Sequence, residues 1–422
     1  MSKVIENLEI NREMKDSGIK WMGEIPKEWS VVKYKTFSHN TKGETILKTD
    51  VTNDGIPVYS ASKDGEIFGY IKSAKKILSY GDLVIPARGT IGITHFITDE
   101  IATCTQTTIC SKLKDVNKRF IYHCSCGLKE YWFEFTQTAV PQLTVEQVKN
   151  NLVPHPPLHE QQAIANYLDE KVGKIDELIE EQSQAIENWK AYKQSLITET
   201  VTKGLNPNVE MKDSGIEWIG EIPKEWEVAK VKTKYKFHTG FTPNTKKERY
   251  YDDDGYVWIT IGDLSEKKYI NKSSKKISQL GLENSKAIVS PRGSLLYSFK
   301  LSVGQVAIAA EDLYTNEAIA TFSPQNNTCI DFLYYSSQIF IIENSNENIY
   351  GAKLLNQDLI NNALIIYPPI HEQQVIADFL DEKCSKIDQT IEQKQTLIKQ
   401  LEEYKQSLIY ECVTGKRCVE ER

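Results

Sequence analysis

The stretch Pro156–Val201, PPLHEQQAIANYLDEKVGKIDELIEEQSQAIENWKAYKQSLITETV, returns 212 residues later as Pro368–Val413, PPIHEQQVIADFLDEKCSKIDQTIEQKQTLIKQLEEYKQSLIYECV. Aligned without a gap, 26 of the 46 positions are identical, which makes this an internal repeat. Apolar residues recur every seven positions in both copies. Leu168, Ile175, Trp189 and Leu196 interleave with Val172, Ile179 and Ile186 in the first; Leu380, Ile387, Leu401 and Leu408 interleave with Cys384, Ile391 and Ile398 in the second. Such a seam predicts a long helix that needs a partner, and the simplest partner is the other copy. The Pro pair and the acidic first turn of each copy suit a helix N-terminus. Forty-odd helical residues span roughly 60 Å at about 1.5 Å per residue.

One heptad position is polar in both copies, Gln182 in the first and Lys394 in the second, at equivalent places in the repeat. Both lie near mid-helix, so antiparallel pairing about a pseudo-two-fold would bring them together. A polar layer there costs stability and helps set the register.

A second repeat precedes each helix. MKDSGIKWMGEIPKEWSVVKYK, Met14–Lys35, returns as MKDSGIEWIGEIPKEWEVAKVK, Met211–Lys232, with 17 of 22 positions identical. Trp21 and Trp29, or Trp218 and Trp226, flank a proline, which reads as an aromatic-anchored turn leading into a strand. The chain therefore divides into a leader and first anchor (1–35), a variable region (36–155), a long helix (156–203), a linker and second anchor (204–232), a second variable region (233–367), a second helix (368–416) and a tail (417–422).

The variable regions diverge more than their flanks but retain a common plan. GIPVY (Gly55–Tyr59) parallels GYVWI (Gly255–Ile259), and KKI recurs at Lys75–Ile77 and Lys275–Ile277. GDLVIPARGTIG (Gly81–Gly92) matches GSLLYSFKLSVG (Gly293–Gly304), and QLTVEQ from Gln142 parallels KLLNQD from Lys353. Each region is read as one small, mainly β domain. The fold class is thus α+β: two mainly β domains joined and separated by two long helices, with a pseudo-two-fold internal repeat.

At 422 residues and 40% hydrophobic content, the composition fits a soluble globular chain of two or three domains. No apolar run is long enough for a membrane span, no apolar signal segment is visible at the start, and the eight cysteines form no C-x-x-C. A cytoplasmic protein with reduced thiols is expected. The net charge of −7 first argues against nucleic acid. Leu158–Lys203 carries five basic against nine acidic residues and Ile370–Lys416 six against nine, so the acidity sits on the helices and leaves the variable regions balanced.

Catalytic and metal motifs are missing. HEQQ resembles the opening of H-E-x-x-H, but Ala163 and Val375 occupy the second histidine position. No phosphate-binding loop, no N-P-P-Y-type methylation loop and no Ser-His-Asp triad is evident. No catalytic or metal residues are assigned. The remaining candidates are DNA contacts. Lys72, Lys75, Lys76, Arg88 and Thr90 line up with Lys272, Lys275, Lys276, Lys300 and Ser302, and Gln142 with Lys353. Lysines suit phosphates, while Arg88 or Gln142 suits a base edge in the major groove. Arg292 and Asn316 have weaker cases.

KDSGI-W-GEIPKEW, then a variable region ending in PP-HEQQ-IA--LDEK-KID, then a helix ending in YKQSLI, all repeated, resemble the specificity subunits of type I restriction–modification systems across nearly the whole chain. The resemblance implies two target-recognition domains, each reading one half of a bipartite asymmetric DNA site. It implies a non-catalytic chain whose two long helices form an antiparallel coiled coil that separates the domains and docks two modification (M) subunits that methylate adenine with S-adenosylmethionine. Restriction (R) subunits using ATP and Mg²⁺ can join. Base-reading residues are not shared across that family, so those above stand on physical grounds alone. The rival reading is a coiled-coil scaffold with two recognition modules for ligands other than DNA; a third is a stand-alone nuclease or methyltransferase.

Overall fold

A computed structural model describes residues 12–62, 66–132, 142–264, 267–347 and 353–419. The leader up to residue 11 and the last three residues of the tail fall outside the described set. Packing divides the chain into two units. One runs to Gln184 and resumes at Lys394; the other is Ala185–Gln393. Each unit contains an anchor, a variable region, the start of the helix that follows it and the end of the other helix.

In the first unit, the anchor is a hairpin of Met14–Asp16 with Glu24–Pro26. Strand Ser30–Lys33 then pairs antiparallel with Leu152–His155, which brings the start and end of the variable region together. Between them lies a four-stranded antiparallel sheet in the order Ser38–Lys42, Thr108–Leu113, Leu83–Pro86, His95–Phe96. A second sheet has Ile56–Tyr59 at its centre, antiparallel to Ile67–Ile71 and parallel to Thr103–Cys104. All four residues of Leu83–Pro86 are buried. Such a continuous run, without polar alternation, marks a strand covered on both faces. Asn117 caps helix Lys118–Gly127, and Thr144 with Gln147 forms a capping box on Val145–Asn150.

The second unit repeats the plan. Met211–Asp213 pairs with Glu221–Pro223, and Glu227–Lys230 with Leu364–Tyr367. Its larger sheet runs Phe237–Thr239, Ile319–Phe322, Leu295–Ser298, Val306–Ala309 and Tyr269–Ile270. Tyr251–Ile259 centres the smaller sheet, antiparallel to Lys276–Ile277 and parallel to Tyr314–Thr315.

The long helices are Leu158–Lys203 and Ile370–Val413. Their seam joins each unit's core. In the first unit Leu168 and Ile175 cluster with Leu408, Ile409 and Cys412, with Leu401 packed alongside. In the second, Ile197 and Val201 cluster with Leu380 and Cys384, with Leu196 alongside. Ile186 and Ile387 are buried, and Trp189 is half-buried. The pairing is antiparallel: Lys405 meets Asp176 at 2.5 Å in the first unit, and Lys193 meets Asp388 at 2.7 Å in the second. These exposed ion pairs report the register more than they stabilise it.

Within the first unit, Lys394 Nζ donates to Gln182 Oε1 at 2.8 Å, both half-buried. The polar layer read from the heptads is therefore formed. Replacing both residues with leucine is expected to raise stability by about 1 kcal/mol, because two desolvated polar groups give way to apolar packing. It should also loosen the helix register, which disulfide trapping between the paired helices would detect as slipped species. A single trapped register in the double variant would refute the alignment role.

Candidate nucleic-acid interface

The turn between Leu83–Pro86 and His95–Phe96 carries Arg88 and Thr90. The Leu143 N–H donates to the Ala87 carbonyl at 3.0 Å, which places Gln142 beside the turn. Arg88 Nη2 then donates to Gln142 Oε1 at 3.3 Å, and Thr90 Oγ1 to the Ser62 carbonyl at 3.3 Å. Arg88 and Gln142 are exposed. Three sequence candidates thus converge on one edge: a guanidinium, an amide and a hydroxyl, the groups that read base edges and phosphates.

The corresponding turn of the second unit, between Leu295–Ser298 and Val306–Ala309, carries Lys300, Leu301 and Ser302, all exposed. Lys300 Nζ lies 5.7 Å from the centre of the Phe299 ring. Gly89 (φ +76°) and Leu301 (φ +60°) are both left-handed, which confirms the two turns as equivalents. Lys353 Nζ pairs with Glu343 at 3.1 Å. It is not the counterpart of Gln142. Thr144 and Asn356 are equivalent helix caps, and Leu143 and Leu355 are the buried residues before them, so Leu354 takes the place of Gln142. The alignment of QLTVEQ with KLLNQD is one residue out of register.

The lysine triplets also need correction. Ile71 pairs with Ile56, and Ile277 pairs with Tyr256. A Cβ at Gly55 would collide with the Ile71 carbonyl, and one at Gly255 with the Ile277 carbonyl. Ile71 and Ile277 are therefore equivalent, and the recurrence of KKI does not place Lys75 and Lys76 where Lys275 and Lys276 stand. In the first unit these lysines serve local structure. Lys72 pairs with Asp54 at 2.6 Å, and the Lys75 and Lys76 amides donate to the Glu44 carboxylate at 3.1 and 3.4 Å. The Lys76 ammonium donates to the Lys42 carbonyl. In the second unit Lys276 pairs with Val257 in the sheet. Lys272 and Lys275 are exposed, with no side-chain partner among the described residues, so they remain available to phosphates.

What sequence reading left undeveloped is how each recognition domain is fastened. Trp29 Nε1 donates to Glu160 at 3.0 Å, and Trp226 Nε1 donates to Glu372 at 2.8 Å. Gln161 Oε1 accepts from the Asn117 amide at 2.9 Å while its Nε2 donates to the Pro156 carbonyl. Gln373 spans the Cys329 amide and the Pro368 carbonyl in the same way. HEQQ is thus a joint between anchor, recognition domain and long helix; His159 and His371 are exposed. No group of three or more potential metal ligands is assembled among the described residues.

About two helical turns further, the LDEK aspartates repeat the fastening with different partners. Asp169 lies 2.8 Å from His123 Nε2 and 3.7 Å from Arg119. Burial pushes the Asp169 carboxyl up, but the hydrogen bond and charge of His123, with Arg119, override this and leave its pKa lowered. Asp381 instead accepts from Tyr335 Oη at 2.6 Å and from Lys268 at 2.6 Å, and Lys268 also pairs with Asp331 at 2.6 Å. The recurrence of LDEK in both copies was the available signal. Its partners lie on the variable regions and differ between the units.

No helix among the described residues is long and apolar enough to cross a membrane. The family described as "Type I restriction modification DNA specificity domain" matches residues 26–188 and again 223–403. The MjaIX type I restriction enzyme specificity subunit of Methanocaldococcus jannaschii is 32% identical over 181 residues, a match spanning 42% of this chain and 41% of that relative. The MjaVIII specificity subunit of the same organism is 26% identical over 419 residues, 93% of each chain. A chain from a structure described as the "Structural basis underlying complex assembly and conformational transition of the type I R-M system" superposes with a TM-score of 0.69 at 15% identity, covering 93% of this chain and 99% of that one.

Proposed function

Because this chain belongs to the type I restriction–modification DNA specificity family, whose domain it carries twice, we propose that its two units read the two halves of one bipartite, asymmetric DNA site. The observation that carries this reading is a pair of equivalent turns on one scaffold with different tips, Arg88-Gly89-Thr90 in the first unit and Lys300-Leu301-Ser302 in the second. A shared scaffold with unlike contact groups predicts unlike half-sites. The chain supplies specificity and no chemistry. Adenine methylation belongs to partner M subunits carrying S-adenosylmethionine, and cleavage to R subunits using ATP and Mg²⁺. The repeated helix and anchor offer two equivalent surfaces, which favours two M subunits per chain.

The test is co-expression with the cognate M subunit, followed by mapping of adenine methylation across a genome. One bipartite motif is expected. Exchange of residues 36–155 for those of a related chain should change one half of that motif and leave the other intact. A competent M subunit that leaves no motif would favour the scaffold reading instead. A motif that changes in both halves would overturn the assignment of one half-site to each unit.

A further inference from the structure

Leu301 is 92% exposed, and no other large apolar side chain among the described residues stands out as far. It also holds φ at +60°, a conformation that is costly for a branched aliphatic residue and free for the glycine at the same place in the first unit. Water contact and backbone strain thus fall on one residue, and either would be relieved by glycine. Strain retained at an exposed tip is a marker of function.

The turn beneath Leu301 is held firmly. The Gly304 amide donates to the Ser298 carbonyl at 2.9 Å, and the Val303 amide to the Leu301 carbonyl at 2.9 Å. The buried Ser298 hydroxyl donates to the Lys300 carbonyl at 3.3 Å. Leu301 therefore projects from a fixed platform between an ammonium and a hydroxyl. Its neighbours suit phosphates and polar base edges. An aliphatic group between them matches the one apolar mark in the major groove, the 5-methyl group of thymine.

We propose that Leu301 is a specificity-determining residue that recognises a thymine by apolar contact with its 5-methyl group, in the half-site read by the second unit. Gly89 leaves the first unit without such a contact. The assignment rests on the DNA-reading role proposed above, and the test separates the two.

The complex with its cognate M subunit is titrated with duplexes carrying the methylated motif, in which each thymine of the second unit's half-site is replaced in turn by deoxyuridine. Exchange of residues 233–367 identifies that half. At one position, loss of the methyl group should weaken the parent complex about fourfold, the value of one buried methyl group. Leu301→Ser should bind the two duplexes equally, and Leu301→Gly should do the same while melting no lower than the parent, which excludes misfolding. A half-site without thymine, a parent indifferent to every deoxyuridine, or a Leu301→Ser complex that retains the parent's sensitivity would overturn the proposal. Failure of the underlying reading looks different: neither parent nor variant would prefer the motif over random duplex.

Discussion

Replacing Trp226 with alanine is expected to destabilise the second unit by about 3–5 kcal/mol, the usual cost of truncating a fully buried large aromatic side chain. Trp226 is in the core with Val201, Ile222, Ile365 and Ile376. Gly204, just past the end of the first long helix, lies so close that a Cβ there would meet the indole ring at 3.0 Å. The substitution therefore opens a cavity between the anchor and the helix end, and leaves Glu372 without its 2.8 Å donor. Trp226→Phe keeps most of the volume and loses the hydrogen bond, so it should cost about 1–2 kcal/mol. Urea unfolding gives both values. Hydrogen exchange should show strands Glu227–Lys230 and Leu364–Tyr367 losing protection first. A loss below about 1 kcal/mol for Trp226→Ala would refute the anchor's role as the piece that seals the unit. Trp29→Ala should behave alike in the first unit, where Glu160 also holds Arg12 at 2.8 Å.

The second large effect falls on binding. Arg88→Ala should weaken the complex on its own motif by about 1–3 kcal/mol, roughly five- to 150-fold, and relax selection at one base pair of the first half-site. Arg88 is exposed and already oriented by Gln142 at 3.3 Å, so little ordering is needed before it reaches a base edge. Lys72→Ala serves as the contrast. Its ammonium is engaged by Asp54 at 2.6 Å, so affinity should change little and selection not at all. Competition with single-base variants of the motif at fixed salt measures both. If Arg88→Ala weakens every duplex equally, the side chain contacts phosphate rather than base.

The architecture was legible to the extent that it follows from periodicity. Seven-residue spacing marks a buried helical seam whatever the rest of the chain does, so Leu168, Ile175, Leu380 and Leu408 were identifiable as core before any coordinates. The same reasoning found the Gln182–Lys394 layer, because the two polar residues hold equivalent heptad positions near mid-helix, where antiparallel pairing brings them together. Arg88 and Lys300 were matched correctly because no residue is inserted between Gly81 and Gly92 relative to Gly293–Gly304. The lysine triplets were mismatched for the opposite reason. The second unit carries extra residues on both sides of Ile277, and only hydrogen-bond pairing shows that Ile277 faces Tyr256 as Ile71 faces Ile56.

The sequence by itself determined the twofold repeat, the two long helices and the set of repeated motifs that carries the family resemblance. All of these rest on near neighbours in the chain or on identity between copies. The tertiary structure alone decided which charged groups are free and which are spent. Lys72 and Lys300 look alike in a string of letters, yet Asp54, 18 positions away, engages the first, and no carboxylate among the described residues engages the second. The partners in each domain's fastening were likewise invisible: Trp29 and Glu160 are 131 positions apart, and His123 and Asp169 are 46 apart. Hydrogen bonds form across space, and a sequence records separation only along the backbone.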